Sequence, residues 1–219
     1  IFEVYERFEA ALEEARAAIK GCLKACQIPV GVSFTFDSGK DKTATMMGVT
    51  PEQAYKLALD CGACFVGANC GVGIESYITV AKRFAQCGKE LPIWIKGNAG
   101  LPEIADDGST VYKGSPELFE RAVKPLLDAG ARFIGGCCGS TPDHILAIAQ
   151  TLKNELPREG GQKIFFSPSA NTAELERRVK EALGDNYTVV VGDIAEVPVI
   201  EEMRNKALRL DASFLPLGD

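Results

Sequence analysis

Two periodicities alternate along this chain. From Phe8 to Ala25 the apolar residues Phe8, Ala11, Leu12, Ala15, Ala18, Ile19, Cys22 and Leu23 recur at helical spacing. Residues 29–36 then read as a strand in which Ser33 and Thr35 alternate with Val32 and Phe34, so one face of its end is polar. The exchange repeats with a helix to about Asp60, a strand over Cys64 to Asn69, a helix over Ile74 to Gln86 and a strand over Leu91 to Lys96. A helix to Ala129, a strand over Phe133 to Gly136 and a helix to about Leu156 follow. Ahead of all these, Ile1 to Tyr5 reads as one more short strand, with Glu3 in its middle. The chain opens on Ile1 rather than methionine, as though that strand were already under way, and an earlier stretch is expected to be missing.

Three of the helices are announced by the same signal: Thr50-Pro51-Glu52, Ser115-Pro116-Glu117 and Thr141-Pro142-Asp143. A hydroxyl residue caps, and proline suits the first helical position because its missing N–H has no partner there anyway. Gln53 completes a capping box with Thr50. Strand, loop and helix recurring every 30 to 35 residues or so call for an α/β fold of parallel strands with right-handed helical crossovers. Five such units are counted. A (β/α)8 barrel needs eight, whereas an open sheet can stop at five. The stretches Asp37 to Gly48 and Asn98 to Gly114 are long connections, which makes the first a candidate binding loop. Beyond Leu156 the pattern changes. Residues 157–162 read as a linker, and residues 163–219 as an α/β tail with strands over Lys163 to Ser167 and Tyr187 to Val191 and helices over Thr172 to Leu183 and Val199 to Leu210.

Composition narrows the function classes. The 219 residues are 46% hydrophobic and 25% charged, the balance of a globular protein. A net charge of −6 argues against nucleic-acid binding, which needs a basic face for phosphates. No apolar run approaches the roughly 18 to 20 residues of a membrane span. Eight cysteines, at 22, 26, 61, 64, 70, 87, 137 and 138, sit among apolar helices and strands. They read as reduced thiols with a metal site rather than as a disulfide framework, and they favour a cytoplasmic setting.

Cys70 ends one predicted strand, and Cys137 and Cys138 follow another two units later. In parallel α/β folds these C-terminal strand ends share one face, so the three thiols can meet. Adjacent cysteines converge only where the backbone turns sharply, and the glycines of Gly135-Gly136-Cys137-Cys138-Gly139 permit that turn. Three thiols without a fourth protein ligand suit zinc with an open position. Two positive charges against three thiolates leave about −1, which blunts Lewis-acid chemistry on a carbonyl but lets an incoming thiol lose its proton and stay nucleophilic. The chemistry implied is attack by a substrate thiolate on an activated carbon, most simply a methyl group. Cys61-Gly62-Ala63-Cys64 has redox or zinc spacing, but it straddles a helix end and a strand start on the opposite face and reads as buried structural thiols. A thiol-disulfide redox role for this pair is the weaker alternative. Cys22, Cys26 and Cys87 read as packing residues, and His144, the only histidine, as a solvated or capping residue.

Gly67-Ala68-Asn69-Cys70, then Asn98-Ala99-Gly100-Leu101-Pro102, then Gly135 to His144 resemble the zinc and substrate segments of the homocysteine S-methyltransferase family, in order and spacing. The likeness spans about Ile1 to Leu156 and is strongest to the homocysteine modules of cobalamin-dependent members. It implies a (β/α)8 barrel of which this chain holds the C-terminal five units, with the first three strands missing. It further implies that Cys70, Cys137 and Cys138 hold zinc, one ion per chain, and that Glu3 meets the amino group of homocysteine. Ser33 and Thr35 would line the pocket, with Asn69 and Asn98 near the zinc. The implied reaction is methyl transfer to the thiolate of homocysteine, giving methionine. The donor would be methylcobalamin on a partner corrinoid module, a sulfonium compound or a betaine, and folate or cobalamin modules are candidate partners. A non-catalytic zinc-binding module, completed by a partner that closes its open sheet edge, is the alternative.

Overall fold

Residues 2–25, 30–155, 162–166 and 187–191, with Arg177 and Glu181, are described by a computed structural model of the chain. Helix α1 (Phe2–Ala25) leads to strand β1 (Val32–Phe34), and α2 (Pro51–Cys61) leads to β2 (Val66–Cys70). A 3-10 turn (Ile74–Ser76) opens α3 (Tyr77–Cys87), followed by β3 (Ile93–Gly97). The short strands β4 (Pro102–Ile104) and β5 (Thr110–Tyr112) precede α4 (Pro116–Asp128), β6 (Ala131–Gly136) and α5 (Pro142–Glu155). In the tail, β7 (Gln162–Phe166) pairs in parallel with β8 (Tyr187–Val191) as a sheet of their own. The tail helix expected over Thr172 to Leu183 lies outside the described residues except at Arg177 and Glu181, and that over Val199 to Leu210 lies wholly outside them.

Strands β1, β2, β3 and β6 form one parallel sheet in that order. Each strand lies beside the strand of the preceding unit, which is what consecutive right-handed crossovers produce. Successive helices pack side by side, from α1 against α2 through to α4 against α5. Val66, Ala68, Ile93, Ile95 and Ala131 turn into the apolar core, along with Tyr77, Phe84, Phe119 and Leu126 from the helical layer. The registers Ser33–Gly67–Trp94–Phe133 and Asn69–Lys96–Gly135 place the alternate residues on the opposite face. There Trp94 lies 5.0 Å from Phe65 and 6.3 Å from Phe133, ring centre to ring centre, and Lys96 Nζ sits 4.8 Å above its indole. The β3–β6 register shifts between Ile93 and Trp94, so Ala131 pairs with Ile93 and Phe133 with Trp94. That bulge resets the phase of β6 and delivers Gly136 opposite Gly97, with the two cysteines immediately beyond.

The local signals for α2 act as expected. Thr50 Oγ1 accepts from Gln53 N at 3.4 Å while Gln53 Oε1 accepts from Thr50 N at 2.9 Å, a closed capping box. Ser115, by contrast, makes no side-chain capping hydrogen bond to α4.

The N-terminal expectation fails. Residues 2–5 are not a strand but the first turn of α1, and among the described residues the parallel sheet has four strands rather than five. Phe2, Tyr5, Phe8 and Leu12 continue the helical spacing found downstream. A helix pairs its backbone groups within the segment, whereas a strand at this position needs a neighbour to pair with. The segment from Asn98 to Gly114 is likewise not a plain loop, since it carries the β4–β5 hairpin. Asp107 Oδ1 accepts from both the N–H and the hydroxyl of Ser109, at 2.9 and 2.6 Å, and Gly108 N bonds Ala105 O at 2.9 Å to close the turn. Among the described residues no helix is long and apolar enough to cross a membrane.

Candidate metal centre

At the end of β2 the chain makes two consecutive left-handed residues, Cys70 at φ 58° and Gly71 at φ 68°. For a residue with a Cβ this conformation costs about 1–2 kcal/mol, so Cys70 is held there by its surroundings. Its carbonyl accepts from Asn98 N at 3.0 Å, and the Tyr77 hydroxyl donates to the Asn69 carbonyl at 2.5 Å. Gly71 has no such choice, because a Cβ on it would lie 2.4 Å from the Tyr77 oxygen. The second corner follows β6. Cys137 N donates to Gly97 O, and Ala99 N donates to Cys138 O, both at 3.0 Å, so the two cysteines are pinned to the end of β3. Gly139 turns the chain at φ 74°, where a Cβ would fall 2.1 Å from the Tyr112 ring.

These two corners bring the sulfurs of Cys70, Cys137 and Cys138 within 4.8 Å of one another, with Cys70 and Cys137 only 3.1 Å apart. Four-coordinate zinc with bonds of about 2.3 Å sets sulfurs about 3.8 Å apart, so the triad fits such an ion. Among the described residues no other cluster of three histidine, cysteine or acidic side chains fits a metal. Cys70 and Cys137 also act on one another electrostatically. Burial, followed by its hydrogen bond with Cys137, pushes Cys70 up to about 11. Burial acts the same way on Cys137, but the hydrogen bonds from Cys70 and Cys138 outweigh it and draw its pKa down. One thiolate is favoured, and the next is resisted by its neighbour's charge.

Around the triad, amides fix the geometry. Ser33 donates to Asn69 Oδ1 at 2.7 Å, and Asn69 Nδ2 donates to Cys70 Sγ at 3.3 Å and reaches Thr35 Oγ1 at 3.5 Å. Asn98 is buried and joins the two corners: its Nδ2 donates to Gly71 O at 3.1 Å and its Oδ1 accepts from Cys138 N at 3.0 Å. It also forms part of the wall of a cleft of about 270 Å³ that runs between the 3-10 turn and α4, past Ile74 and Phe119. Ser33, Thr35, Asn69 and Asn98 are therefore gathered at the cysteines. Glu3 lies on α1, and its side chain is outside the described residues.

His144 acts as the cap expected of it, but buried rather than solvated. Its Nδ1 accepts from Thr141 N at 3.0 Å, which assigns the ring proton to Nε2, and Nε2 donates to Gly114 O at 2.8 Å. Gly114 N in turn bonds Ala99 O at 2.8 Å, so the histidine ties the cap of α5 to the loop that carries Asn98. Replacing His144 by Ala is expected to lower unfolding stability by about 1–3 kcal/mol in urea titration, since a buried carbonyl loses its donor. Gln at this third helical position should recover the cap and part of that loss.

Of the other cysteines, Cys61 and Cys64 are buried, as expected for structural thiols. Cys22 and Cys87 are exposed rather than packed, because each faces outward from its helix, and Cys26 lies outside the described residues. Two residues of the site escaped the sequence reading, Tyr77 and Tyr112. Tyr112 leaves a trace in the Asp107-Gly108 dipeptide, a hairpin signal that places it on a strand beside the glycine-rich corner.

Residues 7–152, which take in both corners and all three thiols, match the family described as homocysteine S-methyltransferase. The chain is 28% identical over 171 residues to a methionine synthase of Mycobacterium leprae and 27% identical over 170 residues to that of Mycobacterium tuberculosis. Each alignment covers 74% of this chain but only 14% and 13% of the respective relative, so the chain spans about one seventh of their length. The extent of the family match, with the cysteine corners inside it, shows that this chain belongs to the homocysteine S-methyltransferase family.

Proposed function

We propose that the chain is a zinc-dependent S-methyltransferase unit that holds homocysteine through its sulfur and receives a methyl group on it, giving methionine. The observation that carries this reading is the convergence of the Cys70, Cys137 and Cys138 sulfurs at the C-terminal strand ends of a family member. When bound, zinc supplies the positive charge that keeps a substrate thiol deprotonated and nucleophilic near neutral pH. The chain's own residues do the rest. Cys70, Cys137 and Cys138 are the proposed ligands, Asn69 steadies Cys70, and Asn98 keeps the two corners in register. Ser33 and Thr35 are proposed as pocket wall, and Glu3 as the acid that meets the substrate amino group, the last on family likeness alone.

The parallel sheet is proposed to be an arc of a (β/α)8 barrel, with the first strands lying outside this chain. Strands that join in chain order without reversal, with helices packed in succession, support that arrangement over a doubly wound sheet. Residues 1–156 would form the family unit, 157–162 the linker and 163–219 an α/β appendage, in a cytoplasmic protein. The methyl donor is proposed to be methylcobalamin carried by a corrinoid module, in keeping with relatives that are methionine synthases many times longer than this chain.

Incubating the reduced, zinc-loaded full chain with homocysteine and methylcobalamin should yield methionine, and metal analysis should find about one zinc per chain. Reduced, folded protein that takes up no zinc would overturn the reading. A second reading, a zinc-binding module completed by a partner, is favoured by the small share of the relatives that the chain spans. It predicts zinc uptake without methyl transfer until the partner is added.

A further inference from the structure

His144, the single histidine of the chain, does more than cap α5. It is 4% exposed and stands edge-on to Phe119, ring centres 4.8 Å apart, so little water competes for its nitrogens. Nδ1 accepts from Thr141 N at 3.0 Å, with the Thr141 hydroxyl also 2.8 Å away, and Nε2 donates to Gly114 O at 2.8 Å. From there the bonds continue. Gly114 N donates to Ala99 O at 2.8 Å, and Ala99 N donates to Cys138 O at 3.0 Å. The main chain from Cys138 to Thr141 then returns to the imidazole and closes a ring.

Every link in that ring runs the same way, an N–H given to the next acceptor, and only the imidazole with its proton on Nε2 completes it. The other tautomer would set two donors face to face at Thr141 N and two acceptors at Gly114 O. Where the ring begins is what gives it weight. Cys138 is the exposed thiol of the triad and lies beyond the last ladder pair of β6, Gly136 with Gly97. Gly139 follows at once in the left-handed region, at φ 74°, a residue that rotates freely. One end of the turn is held by Asn98 and Ala99, which bond the N–H and the carbonyl of Cys138. The other end, at Thr141, is held by His144.

We infer that His144 is a positioning residue of the metal centre: by closing this ring through Gly114 and Ala99 it fixes the main chain at Cys138, and with it where that sulfur stands relative to Cys70 and Cys137. This deepens the zinc reading of the site and rests on it. Capping by itself does not call for an imidazole, since Thr50 and Gln53 cap α2 without one. Reaching on to Gly114 does.

The test compares wild type with His144→Asn and His144→Gln in the reduced full chain, without substrate. Asn carries its oxygen at the level of Nδ1 and ends there, so it caps Thr141 without reaching Gly114. Gln is one carbon longer and presents an oxygen and an NH2 together, so it serves both partners. Zinc affinity is read by competition with a chromogenic chelator, and sulfur-to-metal charge transfer is read in the cobalt-loaded protein. His144→Asn should lose about 10-fold in zinc affinity, the lower end of what residues behind metal ligands contribute, and should shift the charge-transfer band. His144→Gln should recover most of both. Val80→Ala, which opens a cavity at a fully buried position of α3, controls for lost stability: it should lower the urea midpoint and leave affinity and spectrum at wild-type values. If His144→Asn matches wild type in both readouts, or if Val80→Ala disturbs them as much as His144→Asn does, His144 is a structural residue only and the inference is overturned. If wild type itself takes up neither zinc nor cobalt, the zinc reading falls and this inference falls with it.

Discussion

Replacing either Cys137 or Cys138 by Ala is expected to remove zinc from the protein and abolish methyl transfer while leaving the sheet folded. Partners of metal ligands typically cost 10- to 100-fold in affinity when lost, so loss of a ligand itself should exceed about 100-fold. The fold should persist because both cysteines lie beyond the last residue of β6 and their backbone bonds, Cys137 N to Gly97 O and Ala99 N to Cys138 O, do not involve the side chain. Metal analysis after dialysis against a weak chelator, with circular dichroism as the control for folding, reads both outcomes. Retention of one zinc by either variant would refute the ligand assignment. Cys70 allows a sharper comparison, because it is strained as well as chemical. Both Cys70→Ala and Cys70→Gly should lose the metal. In the metal-free state the Gly variant should be more stable than the Ala variant by about 1 kcal/mol, since glycine enters the left-handed region freely.

Asn98→Ala should be the most damaging change away from the thiols. The Asn98 side chain is buried and is spent on two backbone groups from different corners, the Gly71 carbonyl and the Cys138 N–H. Truncation leaves each without that partner, at about 1–3 kcal/mol apiece, so a loss of about 2–5 kcal/mol in unfolding free energy is expected. Zinc affinity should fall as well, because the bond to Cys138 N is what holds one corner at a fixed distance from the other. Ser33→Ala is the proper contrast. It removes one half-buried hydrogen bond to Asn69 and should cost about 1 kcal/mol. Urea midpoints of the two variants, with unchanged slopes, would measure the difference. A loss for Asn98→Ala no larger than that for Ser33→Ala would show that the corners do not depend on the amide.

What could be read from the sequence follows the range of the interactions concerned. The capping box of α2 was legible because Thr50 and Gln53 are three residues apart and complete each other locally. The meeting of Cys70 with Cys137 was legible despite a separation of 67 residues, since parallel crossovers force the two strand ends onto one side. The segment Ile1 to Tyr5 was misread because five residues of mixed apolar character fit either period, and only the wider run that includes Phe8 and Leu12 reveals the helix. His144 was legible as a cap from its position three residues after Thr141, but its burial depends on Phe119 and Gly114, which sequence spacing does not bring near it. The approach of Tyr112 to Gly139 had the same obstacle. It depends on how far the hairpin folds back, and the Asp107-Gly108 turn fixes only that the hairpin exists.

The hydrogen bond from Gly114 N to Ala99 O joins the two ends of the segment that contains β4 and β5. With its base already shut, that segment is a detour whose length barely concerns the core: doubling a flexible loop costs only about 0.6 kcal/mol in closure entropy. Descendants of such a chain can lengthen, shorten or rewrite the detour, and so alter what approaches the thiols, while the sheet and its helices are inherited unchanged.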